Sequence, residues 1–278
     1  MSCSALSLAA GIPLAGTATR AERWLLLEHR APWGRDAVDG SGLPRDVVDR
    51  LAAFEGRVLL IRRPGRRRGA TVVFHAVTTE DGGTLRRTQL ERLEDVVEVD
   101  PEADGTVLGG PLVLVCTHAR RDACCGTHGV RAYNALAPHV ADGRLWRSSH
   151  QGGHRFAANV LALPAAIQLG RVEPAAAGAV VASLTDGRVP LDFYRGRSLH
   201  APAVQAADAA VRRALGADRL TDVRLVSHDG DLVRLDTPSG VVEVSVEKRI
   251  GPALPASCGK EAEETVVFEA TVRGPESG

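Results

Sequence analysis

Short apolar runs separated by turn residues dominate the first hundred residues of the chain. Runs of this kind, bounded by polar residues, glycine or proline, predict strands buried in a sheet. The segment Leu43–Gly56 instead has apolar residues at helical spacing and closes on a glycine, which predicts a helix. Leu90–Asp100 is a short helix or an acidic edge. The predicted strands are Arg23–His29, Arg57–Pro64, Ala70–Val77 and Gly83–Leu90, the last two as a hairpin.

A second pattern of the same kind follows a linker, Pro101–Gly110, that is rich in turn residues. Its order of strand, helix, strand, hairpin and helix suits a small sheet of thioredoxin type. The first hundred residues follow a similar order, so we infer a degenerate duplication, although no sequence repeat is visible. Its elements are strands Pro111–His118 and Arg144–His150, helix Cys125–Val140, a hairpin of Asn159–Pro164 with Ala166–Val172, and helix Glu173–Leu184.

The remainder of the chain predicts an alanine-rich helix, Ser198–Gly216, followed by four strands. We therefore predict a mixed α+β or α/β fold in three parts. Residues 1–105 form an N-terminal thioredoxin-like α/β half, 106–200 a thioredoxin-like ferredoxin domain, and 201–278 a C-terminal helix with a β-rich extension. The predicted strands of the extension are Asp222–His228, Asp231–Thr237, Val241–Arg249 and Glu264–Gly274.

Composition narrows the classes of function. The 278 residues include 34 Lys+Arg and 34 Asp+Glu, so the net charge is zero and there is no general attraction to nucleic acid or anionic membranes. No apolar stretch approaches the roughly 20 residues that span a bilayer, and no basic cluster precedes the mildly apolar start as in a signal peptide. We therefore expect a cytoplasmic protein with neither a nucleic-acid nor a membrane partner. The odd number of cysteines, five, favours ligands or redox groups over a disulfide framework.

Candidate chemistry lies in two segments, "CTHARRDACCG" from Cys116 and "SSHQGGHRFAAN" around His150 and His154. Two thiolates and two imidazoles suit either zinc or a [2Fe-2S] cluster with two cysteines on one iron and two histidines on the other. Doubled Cys124–Cys125 leaves the second cysteine open. We interpret the glycine pair between the histidines as giving the chain room to turn closely around a cluster.

These two segments resemble the sucrase/ferredoxin-like family. The resemblance extends to "LAGTATRAERWLLLEH" and "PWGRDA" near the start and to "SCGK" near the end, so it covers nearly the whole chain. It implies a thioredoxin-like ferredoxin domain with a bis-histidinyl, non-Rieske [2Fe-2S] cluster. The family's ligands fall on Cys116, Cys125, His150 and His154, with Cys124 as the alternative to Cys125.

Three function classes follow. The first is an electron carrier whose histidine ligands couple electron to proton transfer, with redox donor and acceptor proteins that the sequence does not name. The second is a structural or regulatory zinc protein, and the third is a thiol redox protein that uses Cys124 or Cys125. We expect an electron carrier rather than an enzyme with its own substrate, and no sucrose hydrolase, since no carboxylate pair supports one. Cys258 is interpreted as structural or a free thiol, and Cys3 as an inert residue near a mobile terminus.

Overall fold

One sheet runs through both predicted halves of the chain. The computed structural model describes residues 1–65 and 70–273, and ten strands of that part pair in the order β10-β9-β8-β6-β7-β2-β1-β3-β4-β5. The strands are β1 Arg23–Glu28, β2 Arg57–Arg62, β3 Thr71–Val77, β4 Thr84–Leu90, β5 Thr106–Val107, β6 Leu112–Cys116, β7 Leu145–Ser148, β8 Val160–Leu163, β9 Ile167–Leu169 and β10 Tyr194–Arg197.

Helices precede, connect and follow these strands. The α-helices are α1 Cys3–Ala9, α2 Arg45–Ala52, α3 Ala123–Leu136, α4 Ala177–Thr185 and α5 Pro202–Leu215. Short 3-10 helices span Leu93–Val97, His154–Phe156, Pro174–Ala176, Leu191–Phe193 and Leu220–Asp222. No helix in the described part of the chain has the length and apolar character needed to cross a bilayer.

The two halves of the sheet have the same strand order. In the first, β1 and β2 are parallel across α2, β3 is antiparallel to β1, and β4 follows β3. In the second, β6 and β7 are parallel across α3, β8 is antiparallel to β6, and β9 follows β8. Strands β2 and β7 join the halves antiparallel, with Ile61 opposite Ser148.

The core explains why the strands are continuous apolar runs. Alternate residues of a strand point to opposite faces, and both faces are buried here. Leu25 and Leu27 pack beneath α2, while Val113 and Val115 pack beneath α3. The opposite face carries one cluster shared by both halves, in which Phe74 meets Trp146 edge-to-face at 5.6 Å. Burial on both faces removes the polar alternation that a half-exposed strand would show.

The tail forms a second sheet that packs on α5. Its strands pair in the order β11 Arg224–Asp229, β12 Leu232–Thr237, β13 Gly240–Pro255 and β14 Ala262–Val272. Val233 and Val244 meet Val204 and Val211 of α5 in one apolar cluster. The β13–β14 hairpin is long enough to carry its turn back to the start of α3, where Cys258 N–H donates to Asp122 at 2.8 Å.

Candidate metal centre

The two predicted cysteine ligands lie at the junction of β6 and α3. Cys116 is the last residue of β6, Cys125 is in the first turn of α3, and both are buried. Asp122 begins the helix by accepting a hydrogen bond from the Cys124 N–H at 2.8 Å. At Gly129 a Cβ would overlap the Cys116 carbonyl oxygen. The missing side chain therefore lets α3 approach the strand end, which brings Cys125 to Cys116.

The two histidines approach from the loop after β7. His150 lies in that loop and His154 begins the following 3-10 helix. Their rings stack with centroids 4.4 Å apart and planes 23° apart. One donor atom from each of Cys116, Cys125 and His150 lies within 4.8 Å of the other two. Of the described donors, His154 is outside this compact group and adjoins it through the stacked His150 ring.

Two ring nitrogens at this site lack a protein partner. The Nδ1 atoms of His150 and His154 are buried and form no hydrogen bond with any described residue. Buried polar atoms are usually hydrogen-bonded, because an unsatisfied one is costly. Burial, followed by the neighbouring His150, lowers the pKa of His154 to about 4. Its ring is therefore neutral at pH 7, which is the form that binds a metal. These observations fit a ligand in the site.

The cysteine pair favours a single negative charge. A hydrogen bond from Cys125 lowers the pKa of Cys116 well below its ordinary value, against the effect of burial. The same hydrogen bond, together with burial, raises the pKa of Cys125 well above its ordinary value. The first proton lost therefore leaves a thiolate held by a thiol. A bound cation would displace the second proton, since metals bind the thiolate form.

A buried arginine on β10 supports the histidine loop. Arg195 is 1% exposed. It donates hydrogen bonds to the Gly152 carbonyl at 3.2 Å, to Asn159 Oδ1 at 2.9 Å and to the Thr17 carbonyl. Burial lowers its pKa to about 9, with the nearby Cys125 raising it, so Arg195 stays charged at pH 7. Sequence reasoning missed it because β10 has no apolar run.

The glycines between the histidines serve this support. Gly152 and Gly153 both have positive φ, 99° and 71°. A Cβ at Gly152 would overlap Thr19, and one at Gly153 would overlap the Arg195 guanidinium. The space that these glycines leave is thus occupied by Thr19 and Arg195, and the interpretation that they let the chain turn closely around a cluster stays a prediction. They let the loop lie against Thr19 and Arg195, which fixes the positions of the histidines that flank them.

A second group of sulfur atoms adjoins the first. Cys124, the alternative ligand, lies 3.6 Å from Cys3 and 3.3 Å from Cys258, measured between Sγ atoms. The expectation of an inert Cys3 near a mobile terminus is wrong on its location. Cys3 is 1% exposed, because Ser2 caps α1 and Arg171 donates to the carbonyl groups of Ser7 and Ile12.

The His154 side of the site opens to the surface. A cleft of about 740 Å³ lies between the β13–β14 turn and the loops that carry Arg35, Arg121 and His154. Its lining combines three cationic side chains, two acidic ones and His154 itself. The charged residues are Arg35, Arg121, Lys260, Glu261 and Glu263.

Fold and site together define a mixed α/β protein in which cysteine and histidine donors converge at the end of a central strand. The chain belongs to the sucrase/ferredoxin-like family, whose profile matches residues 14–196. The match includes the four predicted ligands and all of the ten-stranded sheet except the last residue of β10.

Three fungal relatives match part of the chain, and each is named "Altered inheritance of mitochondria protein 32". The protein of Meyerozyma guilliermondii is 28% identical over 123 residues, which is 40% of this chain and 43% of that protein. That of Eremothecium gossypii is 31% identical, over 34% of this chain and 35% of its own length. That of Debaryomyces hansenii is 33% identical, over 32% and 36%. The chain thus spans less than half the length of these curated relatives.

Proposed function

We propose that the chain holds a [2Fe-2S] cluster through Cys116, Cys125, His150 and His154 and acts as a one-electron carrier. The observation that carries this proposal is the meeting of Cys116, Cys125 and His150 donor atoms within 4.8 Å, with the His154 ring stacked beside them. Two sulfur and two nitrogen donors match the ligand set of a histidine-substituted [2Fe-2S] centre. When bound, such a cluster supplies a reversible one-electron couple.

The charges around the donors suit this role. Arg195 is close enough to both thiols for Cys116 and Cys125 to raise its pKa against the effect of burial. Arg57 donates to the His150 carbonyl at 3.1 Å, and Cys116 raises its pKa in the same way. Two fixed cations beside the sulfur atoms stabilise their thiolate form. They also favour the more negative, reduced state of the site.

The cleft beside His154 gives a partner protein access to the histidine side of the site. Cys116 and Cys125 are fully buried, whereas His154 is part of the wall of the open cleft. The cations Arg35, Arg121 and Lys260 outnumber the two glutamates in its lining. We infer that the unnamed redox donor or acceptor docks here through acidic residues, because complementary charge orients a transient encounter.

We also infer that each half has a thioredoxin-like arrangement and that the halves arose by duplication. Support comes from the repeated strand order, a parallel pair across one helix followed by an antiparallel hairpin. A reducing compartment such as the cytoplasm is part of the proposal, because all five cysteines are free thiols.

Metal analysis tests the cluster directly. Protein purified without oxygen should contain two irons and two sulfides per chain, with the red-brown colour of a [2Fe-2S] protein and an electron paramagnetic resonance signal on one-electron reduction. A folded chain without iron would contradict the proposal.

The zinc alternative has its own support, because two cysteines and one histidine in a compact group are also a known zinc ligand set. A colourless protein with one zinc at this site would decide for it.

Proton coupling is tested by the midpoint potential. Reduction adds a negative charge, which should raise the affinity of a ligating histidine's second nitrogen for a proton. The midpoint should then fall as pH rises, by up to about 59 mV per pH unit for one proton and one electron. A flat line between about pH 6 and 10, a range that begins near histidine's ordinary pKa, would contradict coupling. His154→Cys should keep the cluster, lower the midpoint and flatten the pH dependence.

A further inference from the structure

We propose that Cys3, Cys124 and Cys258, with Asp122, form a second metal site that binds Zn²⁺. The three sulfur atoms form a nearly equilateral triangle with edges of 3.6 Å, 3.3 Å and 3.6 Å. The Asp122 carboxylate oxygens lie 3.9 Å from Cys3 Sγ. One donor atom from each of these four residues lies within 4.8 Å of the other three.

The dimensions suit a tetrahedral zinc ion. A Zn–S distance of about 2.3 Å in tetrahedral geometry places ligand sulfurs about 3.8 Å apart, and a sulfur and an oxygen about 3.5 Å apart. The observed distances, from 3.3 Å between Cys124 and Cys258 to 3.9 Å between Cys3 and Asp122, are within about half an ångström of these values. A disulfide would join only two of the sulfurs and would shorten one edge to about 2.05 Å. The near-equality of the three edges therefore points to a shared ligand rather than to a disulfide pair.

Asp122 retains room for a metal. Its Oδ1 accepts a hydrogen bond from Cys124 N–H, and its Oδ2 accepts from Ser257 Oγ and Cys258 N–H, each at 2.8 Å. Each carboxylate oxygen has two lone pairs, so Oδ1 still has one to offer. The hydrogen bonds also hold the carboxylate in place, as partners of metal ligands commonly do.

Apolar packing alone does not explain the cluster. A buried free cysteine can be a small hydrophobe, but these three sulfurs face a hydrogen-bonded carboxylate. Ser4 Oγ also donates to Cys124 Sγ at 3.2 Å. The cysteines come from a helix at the start of the chain, a helix in its middle and a hairpin turn near its end. A metal that joins these three segments would hold the tail and the N-terminus against the second half of the ten-stranded sheet, since the free energy of metal binding adds to the free energy of folding.

The test is zinc binding by the full chain. Reduced protein titrated with ZnCl2 against a chromophoric chelator should take up one tightly held zinc in addition to any iron. Cys258→Ser should weaken zinc binding at least tenfold and leave iron content unchanged. Lys260→Ala, in the same turn, should bind zinc like the wild type. The double variant Cys116→Ser/Cys125→Ser removes the first site and should still take up one zinc, so the result does not depend on the proposed cluster.

A second measurement requires no variant. Cys258 is only partly buried, so alkylation followed by peptide mass mapping reports its reactivity. One equivalent of Zn²⁺ should slow alkylation of Cys258 at least tenfold. Three results would overturn the proposal: no zinc bound by reduced protein, zinc retained in full by Cys258→Ser, or Cys258 alkylated at the same rate with and without zinc.

Discussion

The two halves of the ten-stranded sheet share a strand order but end their first strands differently. In the first half, β1 ends on Glu28, whose carboxylate accepts hydrogen bonds from Arg30 at 3.0 Å and from Val72 N–H at 3.3 Å. In the second half, β6 ends on Cys116, whose sulfur meets donor atoms of Cys125 and His150. The Glu28 carboxylate is thus satisfied by hydrogen bonds within the protein. The donor atoms of Cys116, Cys125 and His150 instead converge on one another.

The histidines show the same contrast. His29 follows β1, and its Nε2 lies 2.9 Å from the Ser41 carbonyl oxygen. His150 and His154 keep buried Nδ1 atoms that form no hydrogen bond with any described residue. The same strand order thus places hydrogen-bonded polar residues at the strand end of one half and a candidate metal centre at the strand end of the other. The fold supplies a strand end with a helix beside it, and the side chains decide what that place does.

The largest expected effect comes from substitutions at these two strand ends. Cys116→Ser should abolish stable iron binding, because a serine oxygen is a much poorer ligand for the cluster's iron than a thiolate. Glu28→Gln, at the equivalent position of the first half, should retain the full iron content. Iron and sulfide counts with the visible spectrum measure both. Equal iron loss in the two variants would mean that iron retention reports only the stability of the sheet.

Much of the sheet could be predicted from the sequence. Strands such as β1 and β6 are buried on both faces, so each appears as an unbroken apolar run. Strand β10 could not be predicted, because Arg195 and Arg197 interrupt it and find their hydrogen-bond partners in distant segments of the chain, such as the Thr17 and Thr79 carbonyl groups. Helix α1 is seven residues long, which is too short for stability by itself, so tertiary contacts fix it.

The candidate site was predictable only in part. The paired motifs locate Cys116, Cys125, His150 and His154, but whether these residues bind a cluster stays a prediction. The choice between Cys124 and Cys125 depends on which way each sulfur points from α3, and no sequence pattern contains that. The second sulfur group joins residues 121 and 134 positions apart. Local patterns carry no information about contacts of that range.

A smaller effect is expected from substituting one arginine in each half, Arg195 beside the histidine loop and Arg30 beside Glu28. Arg195→Met would leave the Thr17 and Gly152 carbonyls and Asn159 Oδ1 without their donor. At about 1 kcal/mol or more for each buried acceptor, unfolding should become easier by about 3 kcal/mol. Arg30→Met should cost less, about 1 kcal/mol, because Arg30 is 41% exposed and the buried Glu28 keeps its hydrogen bond from Val72 N–H.

Chemical denaturation of both variants measures the difference. For Arg195→Met we also expect a lower midpoint potential, since removal of a nearby positive charge disfavours the reduced state. Equal destabilisation by the two substitutions would remove the distinction between a fully buried arginine and a half-exposed one.

The smallest expected effect comes from replacing a glycine with positive φ in each half of the sheet. Gly153 and Gly42 have nearly the same positive φ, 71° and 69°. Alanine at either position costs about 1 kcal/mol for the left-handed conformation. At Gly153 the new Cβ would also overlap the Arg195 guanidinium, whereas nothing lies within 4 Å of one at Gly42. Gly153→Ala should therefore cost at least about 1 kcal/mol more, measured as a difference in the free energy of unfolding. Equal costs would show that the histidine loop can move away from Arg195 freely, and the support assigned to that arginine would then be lost.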